Sequence, residues 1–313
     1  MKLQSVKPPS LQAKVKLLGV GKAGSLMAGC LTACNLPAVD VIACNTDAYA
    51  LKKSSAPYKL LLGQEAVNAD QQILVNYDAA LTCVEQIWSV LEGKTDLLVL
   101  MVGLGGVTGT GTAPVVARLA RELGIPTVAV VTMPFDFEGE VKMNQARQGL
   151  ATLVERCDAV LVHDLQDLLR LSPGIGIDEV FAQADERISQ SVLTLLEPLK
   201  SGAKAEILRF VNGAGRLHFG YGTGVGENRA RQAARRAVNS LTWERKDLLS
   251  TAQPQIFMRV AFSRHFPPSL KEQRIMVKSL GILGRAEHSK LIHTEDGTWR
   301  QEIDCSLLIR FVG

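Results

Sequence analysis

Residues 97–102 form an unbroken apolar run, and Gly103-Leu104-Gly105-Gly106-Val107-Thr108-Gly109-Thr110-Gly111-Thr112 follows it directly. Helical periodicity is expected over 113–123, with Val115, Val116, Leu119, Ala120 and Leu123 on one face. A buried strand, a glycine turn and a helix, in that order, make a βα unit of a parallel sheet. Glycine lets backbone amides approach a ligand with no Cβ in the way. The helix behind supplies unpaired N–H groups and the positive end of its dipole. Threonines between the glycines add short hydroxyl donors. The turn therefore reads as a phosphate cradle built from Gly103, Gly105, Gly106, Val107, Thr108, Gly109, Thr110 and Gly111.

The same stretch limits the alternatives. Residues 97–117 carry no charge, which raises the question of a membrane span. Five glycines, three threonines and Pro114 make a poor one, and no transmembrane segment is expected. Residues 1–11 lack the apolar core of a secretory signal, so a cytoplasmic protein is expected. The formal net charge of +4 gives no reason to expect nucleic acid as a partner. The arginines between 229 and 236 read as a solvated helix face. Cysteines 30, 34, 44, 83, 157 and 305 show no zinc spacing. They are expected to be reduced and buried, and no metal ligands are assigned.

A second glycine turn, Gly19-Val20-Gly21-Lys22-Ala23-Gly24, follows an apolar run at 15–20 and opens a helix. With Asp47 at the end of the next strand, it fits a dinucleotide-binding fingerprint. A nicotinamide enzyme needs only that one turn. In a doubly wound sheet the first and fourth strands are neighbours, so two glycine turns would pinch one ligand, as suits a di- or triphosphate. No G-x-x-x-x-G-K-[ST] motif occurs.

Further strands are expected at 39–44, 127–132 and 160–162, and a helix at 76–91. The expected fold is α/β: a doubly wound parallel sheet over 1–175, a long central helix over 176–200, and a second α+β domain over 201–313. In that second domain, 202–226 reads only as a glycine-rich stretch before a basic helix at 227–240. Strands are expected at 255–262, 285–293 and 302–311, and a helix at 268–280.

Together these residues resemble the tubulin/FtsZ superfamily from about Lys14 to Gly313. Gly105 to Gly111 is similar to the signature G-G-G-T-G-T-G, with Val107 in place of one glycine. Supporting stretches are Ala43-Cys44-Asn45-Thr46-Asp47-Ala48, Pro134-Phe135-Asp136-Phe137-Glu138-Gly139 and Gly224 to Ala230. The resemblance implies GTP or GDP as ligand, with Mg as a companion ion to consider. It places Gly19, Gly21, Lys22, Ala23, Gly24, Asn45 and Asp47 at the nucleotide beside the signature loop. Thr132 and Pro134 would lie near the sugar, Glu138 would accept from ribose hydroxyls, and Lys142 stands where an Arg is usual. Phe181 would stack on the base, and Asp185 would accept from guanine N1–H and N2–H₂. On the residues alone, Phe181 also reads as helix core, Asp185 as a solvated charge and Glu138 as a turn cap.

The departures from the family are concentrated. Members hydrolyse GTP when the next subunit inserts a loop carrying Asn-x-Asp-x-x-Asp, whose carboxylates orient water. Counting back from Gly222 places that motif at Ala203, Ala205 and Leu208. Only Glu206 offers a carboxylate there, one residue out of register, and it is the candidate catalytic residue. The γ-phosphate-sensing loop is replaced by the shorter 64–72, and Leu26 replaces an Asn that helps bind the base. The chain stops where the family's folded core stops, before the tail that recruits membrane adaptors. The expectation is a filament-forming guanine-nucleotide-binding protein in cell division or membrane remodelling, with slow or absent hydrolysis. Its main partner would be itself, head to tail. The alternative is a non-polymerising regulator or scaffold that binds a true FtsZ or a membrane protein.

Overall fold

A computed structural model describes residues 15–62 except 33, 35, 37 and 38, residues 83–200 except 172 and 173, and residues 203–241, 253–279, 288–296 and 301–312. The chain divides into two compact units, 1–189 and 190–313.

In the first unit, six apolar runs pair as a parallel sheet: β1 (Val15–Val20), β2 (Val39–Asn45), β3 (Tyr58–Leu61), β4 (Leu97–Gly103), β5 (Thr127–Met133) and β6 (Ala159–Asp164). Their spatial order is β3-β2-β1-β4-β5-β6. This is the expected doubly wound sheet, and its topological switch lies between β1 and β4, where Val20 is level with Val102. Between the strands run α1 (Gly21–Thr32), α2 (Ala48–Lys53), α3 (Val84–Leu91), α4 (Val107–Glu122), α5 (Glu140–Arg156) and α6 (Leu165–Leu171). Leu18, Val20, Leu98, Leu100 and Val102 share one core with α3, α4 and α5. The alternate residues Leu17, Val99, Met101, Val128 and Val130 are buried just as completely. Both faces are therefore covered, which is why the strands read as continuous apolar runs. Lys16 is the exception inside β1. Its Nζ donates to the carbonyls of Leu91 (3.0 Å) and Glu92 (2.9 Å), so a cation closes the end of α3.

Helix α4 begins at Val107, six residues before the expected start. The glycines at 109 and 111 obscured it because they are poor helix formers. Half of the supposed loop is thus the opening of a helix. The long helix expected at 176–200 is present as α7 (Ile177–Lys200).

The second unit holds α8 (Lys204–Val211), β7 (Gly215–Val225), α9 (Arg229–Asn239), β8 (Gln253–Ser263), α10 (Leu270–Ser279), β9 (His288–Asp296) and β10 (Glu302–Val312). Its sheet runs β7-β10-β8-β9, antiparallel except for the last pair. The glycine-rich stretch expected over 202–226 contains the helix α8 and then the strand β7. A Cβ on Gly220, Gly222 or Gly224 would lie 2.3 Å from Ala237 O, 2.4 Å from Ala237 N or 1.9 Å from Arg229 O. These glycines let the backbone of α9 rest directly on the strand. On its side, α9 presents Ala230, Ala233, Ala234 and Ala237. Arg229 also ties α9 to α10: its Nε donates to Glu272 Oε1 at 2.7 Å, and its other donors reach the carbonyls of Phe266 and Pro267. Arg310 of β10 donates through Nη1 to Arg209 O, Phe210 O and Asn212 O, which closes the end of α8.

The cysteines are all free, as expected, but Cys30 and Cys34 are exposed at the end of α1 rather than buried. Among the described residues, no helix is long and apolar enough to cross a membrane.

Candidate functional site

The two glycine turns meet at the carboxyl ends of β1 and β4. Gly21 has φ of +73°, and a Cβ there would lie 2.9 Å from the amide nitrogen of Gly109. Only glycine combines that left-handed backbone with so close an approach. Gly103 faces the first turn in the same way, since a Cβ on it would meet the Ala23 Cβ at 2.5 Å. Gly19 and Gly24 pack against each other beneath the turn, while Lys22 is exposed on its rim. Gly105, with φ of +81°, lies under Lys142, whose carbonyl would be 2.8 Å from an added Cβ.

Some groups of the cradle are already committed. The Gly105 N–H donates to Thr110 Oγ1 (3.0 Å), and the Thr110 N–H donates to Gly106 O (2.9 Å). The first N–H groups of a helix have no intrahelical partner. In α4 these belong to Val107, Thr108 and Gly109, at the mouth between the turns. Gly106 precedes them as the helix cap, and Gly111 is buried in the second turn. A helix end with glycines against it binds anions.

Around this mouth stand the other expected residues. Thr132 is buried at the end of β5, its carbonyl accepting from the Leu104 N–H at 3.0 Å, and Pro134 follows it, also buried. Asn45 is buried at the end of β2, and its Nδ2 has no hydrogen-bond partner. Asp47 caps α2, its Oδ1 accepting from the N–H groups of Tyr49 (2.8 Å) and Ala50 (3.2 Å). Glu138 does cap a turn, with Oε1 accepting from the Phe135 N–H at 3.0 Å, and its other oxygen pairs with Lys142 Nζ.

Phe181 and Asp185 lie one turn apart on α7. Phe181 is 47% exposed and meets the ring of Phe135 edge-on, with centroids 5.5 Å apart, while Phe135 stacks on Phe137. Phe181 is thus held against an aromatic neighbour while about half of it remains exposed. Partial burial raises the Asp185 carboxyl above its usual range. The Cys30 thiol of α1 is raised by burial and by the nearby Asp185 charge, which places α1 alongside this stretch of α7. Leu26, one turn before Cys30, is half exposed. Behind the site, burial and Arg187 hold His163 of β6 in its neutral form, with its pKa lowered to about 3.

Glu206 lies in the second unit, exposed in the first turn of α8, with Ala203 at the cap position before that helix and Leu208 half-buried within it. The segment 64–72 lies outside the described residues. No group of three or more His, Cys, Asp or Glu side chains able to hold a metal occurs among the described residues.

The donors fit a nucleoside phosphate. Helix-start amides and glycines suit the phosphates, Asn45 holds an orphaned buried donor, and a half-exposed ring stands one turn from a carboxylate. Residues 14–173 match the family model described as Tubulin/FtsZ family, GTPase domain.

The chain belongs to the tubulin/FtsZ family. It is 37% identical over 237 residues to cell division protein FtsZ 2 of Rhizobium meliloti (strain 1021), covering 73% of this chain and 68% of that protein. It is 35% identical to cell division protein FtsZ of Azotobacter vinelandii, covering 73% of this chain and 60% of that protein. The match thus spans about two thirds of these relatives' lengths. Among solved structures, an empty FtsZ dimer from M. jannaschii is 28% identical and superposes with a TM-score of 0.84, covering 96% of this chain and 88% of that one.

Site residues that sequence reasoning missed are the contacts of the turn after β2. Thr46 Oγ1 lies 2.9 Å from Thr108 Oγ1. The signal available was Thr46 itself, between Asn45 and Asp47, but pairing across 62 residues is not visible in a linear pattern.

Proposed function

We propose that this chain is an FtsZ-like protein that binds a guanine nucleotide, assembles head to tail, and hydrolyses GTP slowly or not at all. The closure of Gly21 on Gly109 carries the binding reading, because it brings the two glycine turns together at the start of α4 with no space for a Cβ between them. Phe181 and Asp185 then stack on and read the base. Guanine offers a carboxylate two adjacent donors, N1–H and N2–H₂, whereas adenine has an acceptor at N1 and no amino group at C2. Solved structures that share this fold include a GDP-bound CetZ1 monomer and a CetZ2 protofilament, both from Haloferax volcanii.

Slow turnover follows from Ala203, Ala205 and Leu208. A phosphoryl-transfer site works largely by positioning water and stabilising charge, and none of these three side chains can orient water. Glu206 is the carboxylate left to do so from the next subunit.

Two measurements test the proposal. Nucleotide released on denaturing the purified protein should be GDP or GTP. Phosphate release measured against protein concentration should stay far below the rate of a bacterial FtsZ run in parallel, and Glu206→Ala should abolish what remains. FtsZ-like turnover would overturn the slow-hydrolysis claim. The same lost motif favours a second reading, a regulator that does not polymerise alone. Sedimentation with GTP separates the two, since filaments of the pure protein argue against a regulator.

A further inference from the structure

Helices α9 and α10 cover one face of the second unit's sheet. Ala230, Ala233, Ala234 and Ala237 of α9 and Met276 of α10 sink into the same core, so the opposite faces of both helices look outward together. The two helices carry seven cations and one carboxylate, Glu272. Glu272 is engaged by Arg229 at 2.7 Å, and Arg236 donates to Thr223 O at 2.9 Å. Five cations remain on the exposed side: Arg231 and Arg235 of α9, and Lys271, Arg274 and Lys278 of α10. Among the described residues, none of the five makes an ion pair.

The fold of the unit gains nothing from this arrangement. Arg231 and Arg235 are one helical turn apart, and so are Arg274 and Lys278. Like charges so spaced repel, where opposite charges would support the helix. Arg231 and Lys271 stand in first turns, where the helix dipole disfavours a cation. An external anion would relieve both. Leu270 and Val277 indicate its kind: they are 74% and 46% exposed, among the cations of α10. At a bilayer surface, headgroup phosphates take the charges and aliphatic tips enter the acyl boundary. A nucleic acid backbone would use the cations and leave Leu270 and Val277 in water.

We propose that the outer face of α9 and α10 docks on a bilayer of anionic phospholipid. The test is co-sedimentation of the full chain, as purified, with vesicles of phosphatidylglycerol and phosphatidylcholine in equal parts, and with vesicles of phosphatidylcholine alone. The chain should bind the first and not the second, and binding should fall as salt is raised. Neutralising one cation, by Arg235→Gln, Lys271→Gln or Arg274→Gln, should weaken binding roughly fivefold. Leu270→Ser should weaken it at low and at high salt alike, because its part does not depend on charge. These positions are exposed, and a circular dichroism spectrum like that of the wild type shows that a variant is folded. Equal binding to both vesicles, binding to neither, or anionic binding that Leu270→Ser leaves unchanged overturns the inference. So does vesicle binding that a random-sequence DNA duplex abolishes, which would make nucleic acid the occupant. None of these outcomes depends on whether the first unit holds a nucleotide.

Discussion

His163 shows how one side chain can set the acid limit of the first unit. It is buried in β6, and burial together with Arg187 lowers its pKa to about 3, from 6.5 for a free imidazole. Between those values the unfolded chain binds a proton that the folded chain refuses. The stability that depends on neutral His163 is therefore complete above pH 6.5 and drains away as pH falls toward 3. Replacing it with a group that does not titrate should flatten that slope, whatever it does to stability at neutral pH. Chemical unfolding of His163→Gln and wild type at several pH values from 7 to 4 should give converging curves. Parallel curves would show that His163 does not govern the acid response. Asp185 is shifted in the opposite direction, its charged form disfavoured by partial burial, and a guanine edge donating to it would offset that penalty.

At the level of elements, the pairing of β7 with α9 is the contact most exposed to mutation. Helices ordinarily stand off a sheet by the depth of their side chains, but Gly220, Gly222 and Gly224 remove that depth on one side and alanines reduce it on the other. A methyl at Gly222 would sit 2.4 Å from Ala237 N and 2.6 Å from Ala233 O, both rigid backbone atoms. Gly222→Ala should therefore destabilise the protein by about 1–3 kcal/mol, as overpacking does, and the denaturant midpoint would report it. A midpoint equal to the wild type would mean that the helix moves away freely. This is also where sequence reasoning was weakest. Three alternating glycines look like a loop to any rule based on propensity, because their purpose is set by a partner helix that comes later in the chain. The helix α4 was shortened for the same reason: glycines placed for ligand approach weaken the local helix signal. The first-unit strands that are buried on both faces announce themselves as apolar runs and were placed within a residue or two, whereas the short, half-buried β3 was not foreseen.

Over the whole molecule, the expected switch between β1 and β4 was legible because two glycine turns in one α/β sequence leave few other arrangements. The partners of individual polar groups were not. Nothing in the linear sequence pairs Thr46 with Thr108 or sends Lys16 to the end of α3, since each bond joins groups that only the folded chain brings together. The exposure of Cys30 and Cys34 was missed for a related reason: apolar neighbours in sequence are not neighbours in space. That exposure gives the protein a native chemical probe. Cys30 lies beside the carboxylate that would hold the base, and Cys34 lies one turn further away at the helix end. An alkylating dye should label Cys30 more slowly when GDP is bound, while Cys34 in the same molecule serves as the reference. Equal slowing at both thiols, or none, would place the base elsewhere. Site occupancy could then be followed by mass spectrometry in filaments or in crude extract, with no engineered label.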